Sequence, residues 1–195
     1  MNHRKSFIFP EMAVVRQTFG MSVISDVSAT VRASLTTLPP GIRASQSEKG
    51  ESVAVAVGSR NIANLDLVVD QCLRFLEQRG FKPFIVPAMG SHGGATEAGQ
   101  KALLGKYGIT EEKMKVPIMA DMAVCCVAEH PSGLKIFISK AALAADHIVV
   151  INRIKPHTKF KADIESGLCK IMTIGLGKDK GASEFHRYAV DYSFS

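Results

Sequence analysis

From Ser52 onward, short apolar runs alternate with longer stretches whose apolar residues recur at helical spacing. Ser52–Val57 (SVAVAV) reads as a short buried strand, and Gly58-Ser59-Arg60 as a turn. Asn61 can cap a helix running to about Arg79, where Gly80 stops it. Leu65, Val68, Val69, Cys72, Leu73 and Leu76 form the apolar stripe of that helix. Phe81–Ala88 is the next predicted strand, followed by a glycine-rich loop from Gly90 to Thr96. Thr96 can cap a helix through Tyr107, and Thr110 can start a short one. Val116–Met119 is a strand candidate, and Val124–Ala128 with Lys135–Ser139 makes a hairpin around Pro131-Ser132-Gly133. Lys140–Ala145 gives one or two helical turns, and His147–Asn152 is a strong strand. A polar loop leads to a helix from near Ile164 to Ile174, then a loop from Gly175 to Gly181, then a last helix containing His186.

Strands alternating with helices predict an α/β fold, Rossmann-like, with a mostly parallel sheet flanked by helices and a β-hairpin beside it. In such sheets ligands bind beyond the carboxyl ends of the strands. The loops 58–62, 90–96 and 153–163 occupy that kind of position. If their strands are parallel neighbours, Arg60, His92 and His157 share one rim.

Residues 1–50 are the least regular, with a possible strand at Met12–Phe19 and a polar connector from Leu38 to Gly50; residues 51–195 form the α/β domain. Over 195 residues, 46% hydrophobic and 22% charged content excludes wholesale disorder and collagen-like structure. Trp is absent, so the core must rest on Val, Ile, Leu, Ala and Met. The net charge of +6 is not gathered into one tract with interleaved aromatics. That places nucleic-acid binding last and suits a small anionic ligand. Cys72, Cys125, Cys126 and Cys169 contain no CxxC pair and are expected to be reduced thiols, mostly core filler. Pro10 and Glu11 break the apolar start, and no stretch approaches the roughly 18 residues of a membrane span, so a soluble cytoplasmic chain is expected.

Several residues carry possible chemistry. His92 lies within Gly90-Ser91-His92-Gly93-Gly94, where the glycines let backbone approach a ligand and the imidazole can move protons near neutral pH. An exposed histidine in a glycine turn explains the same residues equally well. His157 sits among Arg153, Lys155, Lys159 and Lys161, which favour an anionic partner and lower an imidazole pKa if close in space. A solvated basic loop is the ordinary alternative. Lys170 shares a polar helix face with Ser166 and Thr173; desolvated, it suits covalent chemistry, although spacing alone makes it an ordinary lysine. Gly175-Leu176-Gly177-Lys178-Asp179-Lys180-Gly181 fails the phosphate-loop pattern, with Met172 where a glycine is needed and Asp179 where Ser or Thr is needed, and leaves only a looser anion nest. His186 has no second ligand at zinc-motif spacing, and Ser59 lacks the nucleophile-elbow pattern.

Gly90-Ser91-His92-Gly93-Gly94-Ala95-Thr96, Pro156-His157 and Ser166-Gly167-Leu168-Cys169-Lys170, in this order, resemble the N-terminal domain of the nickel-dependent lactate racemase family, a two-domain family. The resemblance runs from about Ser52 to the end. It implies a racemase or epimerase of a 2-hydroxy acid with a nickel pincer nucleotide cofactor, a pyridinium nucleotide holding nickel between two sulfur arms. By the same resemblance Lys170 joins the cofactor covalently, His186 completes the nickel coordination, and His92 and His157 form the acid/base pair. The implied reaction is reversible hydride transfer to the cofactor, because the α-proton of a 2-hydroxy carboxylate is too weakly acidic for an imidazole to remove. Arg60 and Lys155 are candidates for the substrate carboxylate or the cofactor phosphate. The implied partners are the small carboxylate substrate and cofactor-assembly proteins.

The sequence departs from the family in three places. Val57-Gly58-Ser59-Arg60 keeps the arginine of the family's Asp-x-Thr-Arg loop but not its acid. The segment between His157 and Lys170 is longer than in lactate racemase, and Thr158–Ile164 carries charges where the racemase is mostly apolar. The chain stops at Ser195, soon after His186 and before the family's C-terminal domain, so a truncated product or fragment is expected. A non-catalytic anion- or nucleotide-binding α/β domain is the competing reading.

Overall fold

A parallel sheet needs long crossovers, and this chain supplies them as helices between short apolar strands. The computed structural model of the protein describes residues 12–18, 23–37, 49–59, 62–155 and 166–192. Met12–Thr18, expected as part of a strand, is exposed and carries no regular structure. An isolated extended segment has no ladder to satisfy its backbone or cover its apolar side chains.

A helix not anticipated from the sequence, α1, spans Val27–Thr36. Asp26 caps it, Oδ1 accepting the Ala29 N–H at 2.8 Å. Strand β1 is Ser52–Val57 and helix α2 is Leu65–Glu77. The cap expected at Asn61 lies outside the described residues; Asn64, at φ +52, precedes the first helical turn. Five of the six residues of the predicted stripe are buried, Val68 only partly. Helix α1 packs against α2, and Arg32 donates to Gln71 at 2.7 Å.

Strand β2 is Lys82–Pro87, followed by a tight turn at Gly93–Ala95 and helix α3, Glu97–Lys106. Thr96 caps α3 by accepting the Gly99 N–H, and Thr110 caps the short α4, Glu111–Met114, by accepting the Lys113 N–H. The strand expected at Val116–Met119 reduces to one bridge, Ile118 to Ile85. Pro117, with no N–H to donate, cannot extend a ladder along that edge. The hairpin forms from β3, Val124–Glu129, and β4, Lys135–Ser139. Helix α5, Lys140–Leu143, precedes β5, His147–Ile151. Helix α6, Leu168–Lys170, widens into a π turn at Ile171–Gly175, and α7 spans Lys178–Tyr192. The expected loop from Gly175 to Gly181 is therefore helical from Lys178.

Among the described residues the fold is α/β: a three-stranded sheet in the order β2-β1-β5, a separate antiparallel hairpin and seven helices. Central β1 pairs in parallel with β2 and with β5. Its alternation divides the core. Val53, Val55 and Val57 face α2, while Ala54 and Ala56 pack with Ala142, Ile171 and Leu176. Small alanines on the second face let the α5–α6 layer approach closely. Asp146 locks the sheet's amino end, its Oδ2 accepting from Ser52 N–H at 2.8 Å and Ser52 Oγ at 2.7 Å.

All four cysteines are free thiols. Only Cys72 is buried; Cys125, Cys126 and Cys169 are exposed, against the expectation of core filler, because β3 is exposed on both faces from Cys125 to Glu129 and the start of α6 is open to solvent. Among the described residues no helix is long and apolar enough to cross a membrane.

Candidate functional site

The parallel pairing of β1 with both neighbours puts three strand exits on one rim. Leaving β1, the chain moves to β2 on one side and reaches β5 on the other, so its carboxyl end is a topological switch point. A cavity of about 270 Å³ opens there. Its wall includes Ser59 after β1, His92 after β2, Arg153 and Lys155 after β5, and Lys170 from α6. Asn152 and Ser166 hold the two flanks of the β5–α6 connection together. Asn152 Nδ2 donates to the Gly167 carbonyl at 3.0 Å, and Lys155 N–H donates to Ser166 Oγ at 3.0 Å.

His92 is held by its turn and by Ser59. Its backbone N–H donates to the Met89 carbonyl at 3.2 Å. Gly93, at φ +68, comes so close to α3 that an added Cβ would lie 2.4 Å from the Gly99 carbonyl carbon. The turn is thereby wedged against the start of α3. Ser59, itself 8% exposed, shares a 2.6 Å hydrogen bond through Oγ with His92 Nδ1. With Nδ1–H donating to that hydroxyl, the neutral ring carries its lone pair on Nε2. In that tautomer acid/base work in the cavity falls to Nε2; with the hydroxyl donating to Nδ1 instead, Nε2 carries the proton.

Lys170 sits where α6 passes into the π turn, a distortion that re-aims side chains and recurs at functional sites. Gly175 ends that turn against the sheet; a Cβ there would stand 2.8 Å from the Ala88 carbonyl oxygen. Within the helix expected from near Ile164 to Ile174, Ile171 is buried and Leu168 is 63% exposed.

The structure thus brings His92 and Lys170 together. Arg60 and His157 lie outside the described residues. His186 is exposed on α7 and is not part of the cavity wall. Among the described residues no group of three or more His, Cys, Asp or Glu side chains could hold a metal ion. A pincer nucleotide needs only one imidazole from the protein, and its other requirements are an amine for attachment and cations for its phosphate. Lys170, Arg153 and Lys155 line one wall and fit that anchoring end. The imidazole end is not matched within the described wall.

Two residues of this region were missed in the sequence. Ser59, set aside as a nucleophile, partners His92 instead. Gln100 is fully buried beside the same turn, and its spacing of one helical turn from buried Leu104 was the available signal.

The family of the lactate racemase N-terminal domain matches residues 10–193. No curated protein matches the chain.

Proposed function

Because the chain belongs to the lactate racemase N-terminal domain family, we propose that it serves a racemase or epimerase of a small 2-hydroxy carboxylate, providing cofactor attachment and proton transfer. The supporting observation is the meeting of His92, its partner Ser59, and Lys170 in one cavity with cations in its wall. Arg153 and Lys155, with Arg60, attract the carboxylate and orient it by charge-assisted hydrogen bonds. His92 accepts the hydroxyl proton of one enantiomer at Nε2 and returns it, while Ser59 holds the opposite side of the ring. His157 does the same for the other enantiomer. Lys170 would hold the nickel pincer nucleotide covalently, and His186, which lies outside the cavity wall, is assigned to the metal by the family resemblance alone. When bound, that group supplies the acceptor for the hydride leaving the substrate carbon. Cofactor-assembly proteins are the implied partners, and the free thiols suit the reducing cytoplasm.

The cationic wall also suits a second reading, a non-catalytic domain that binds an anion or nucleotide. Intact mass spectrometry of protein made alongside cofactor-assembly proteins separates the two. The racemase reading expects a mass increment that Lys170→Ala removes, bound nickel, and interconversion of D- and L-2-hydroxy acids on chiral chromatography. No increment, no nickel and no interconversion would overturn it. Nucleotide binding in that case would support the second reading.

A further inference from the structure

Lys178 is fully buried, yet no carboxylate lies within ion-pair distance of its ammonium among the described residues. Its Nζ donates to two neutral oxygens, the Pro87 carbonyl at 2.8 Å and Gln100 Oε1 at 3.0 Å. Its backbone sits at φ +55, a left-handed conformation that is unfavourable for a residue with a Cβ. A core needing only bulk there would use leucine or methionine at less cost. The amine must therefore be judged by what it holds.

It holds the turn that carries His92. Pro87 ends β2, the strand leading into that turn. Gln100, fully buried, donates from Nε2 to the Gly90 carbonyl at 2.8 Å and reaches the His92 carbonyl at 3.4 Å. An ammonium has donors only, so it can face only the oxygen of the Gln100 amide. That fixes which way the amide points and turns its NH₂ toward Gly90. From the other side, the Gly90 N–H donates to the Gly175 carbonyl at 3.1 Å. The turn is thus clamped between α3 and the π turn that follows Lys170. Burial pushes the Lys178 ammonium down to about 8, with Asp121 drawing it partly back up.

We propose that Lys178 is a positioning residue: through the orientation of Gln100 it sets the Gly90–Gly94 turn, and so holds the His92 ring against Ser59 in the cavity. The role matters for catalysis only if His92 is the acid/base group of the proposed function, but the positioning itself is testable without turnover.

The test is ¹⁵N NMR of histidine-labelled full-length protein, with the His92 ring signals assigned by their loss in His92→Gln. In the wild type the Ser59 bond is expected to move the His92 Nδ1 and Nε2 signals away from those of a solvated imidazole, which distinguishes the held ring from a free one. Lys178→Met and Gln100→Leu are each expected to abolish that distinction, and the double variant to do no more than either single one. Gln100→Glu keeps an acceptor for Lys178 but loses the donor to Gly90, and is expected to abolish it too; this variant guards against misfolding of the others. Leu73→Ala, a cavity in buried α2, lowers the melting temperature but leaves the His92 signals in place. Wild-type His92 signals in Gln100→Glu or in folded Lys178→Met would overturn the proposal, as would an equal change in Leu73→Ala. Absence of racemase activity in the wild type would count against the proposed function and leave this result readable.

Discussion

Ser59 and Lys178 act on His92 from opposite directions, one at the ring and one at the backbone. Replacing Ser59 with Ala removes the partner of Nδ1 and lets both ring tautomers compete. Under the proposed function, kcat is expected to fall about tenfold, a fraction of a full acid/base contribution. KM changes little, because the wall cations bind the carboxylate, and Ser59→Thr restores most of kcat by restoring the hydroxyl; steady-state kinetics with either enantiomer checks both. Lys178 makes a prediction about stability. Its ammonium titrates near 8 in the folded chain against 10.5 when unfolded. Between those values the unfolded chain binds one proton more, so raising the pH favours folding. The contribution is complete above about 10.5 and is lost as pH falls through about 8. Urea denaturation at several pH values is expected to show stability rising between about 8 and 9, above which the Cys72 thiol, pushed up by burial from 9.0 to about 11, opposes the trend, and Lys178→Met is expected to flatten the rise. An unchanged slope in the variant would show that the amine is not held as charge-poor as its burial requires. The sequence placed Lys178 in a glycine-rich anion nest. Buried, it meets the Pro87 carbonyl and Gln100 Oε1, contacts between segments far apart in the chain.

Among the elements, the three strands of the sheet and the hairpin were legible because their signals are local, unlike the strands expected at Met12–Phe19 and Val116–Met119: SVAVAV and HIVVI have little other use than a buried strand, and Pro131-Ser132-Gly133 is turn chemistry. Thr96 and Thr110 marked helix starts correctly because each hydroxyl meets an N–H three residues ahead. Helix α1 was hidden by its valine and threonine content, and only the Asp26 cap announced it. The stretch after Gly175 was misread for the opposite reason. Glycine density looks like a loop, yet at Gly177 and Gly181 an added Cβ would meet the Thr173 carbonyl at 2.3 and 2.5 Å, so the missing side chains are what let α7 pack on the π turn. Gly175→Ala tests that layer. Its Cβ would press on the Ala88 backbone, and a loss of about 1–3 kcal/mol is expected from such overpacking, read as a lower urea midpoint at constant m. A neutral result would mean that the π turn is free to move away from β2, and the clamp on the His92 turn would be weaker than its hydrogen bonds suggest.

At the scale of the whole molecule, the cavity wall is cationic and open at the rim of the sheet, so a small phosphate or nucleotide should bind with an affinity that falls as salt rises. Isothermal calorimetry with a nucleoside monophosphate at low and moderate salt is expected to show this, and a charge-removing pair, Arg153→Gln with Lys155→Gln, to weaken binding and flatten the salt dependence. Affinity indifferent to salt would mean that the wall cations do not meet the ligand. From its order of residues alone, the chain determined its class of fold, the expectation that three loops would share a rim, and the motifs His92-Gly93-Gly94 and Gly167-Leu168-Cys169-Lys170, because periodicity, turn chemistry and motif spacing are properties of neighbours in the chain. Only the tertiary structure decided that β1 lies between β2 and β5, that Ser59 meets His92, and that a lysine with no ion-pair partner among the described residues is buried beneath the turn. Those facts are set by strand order and close packing between distant segments, and no local pattern encodes which segment becomes the neighbour of which.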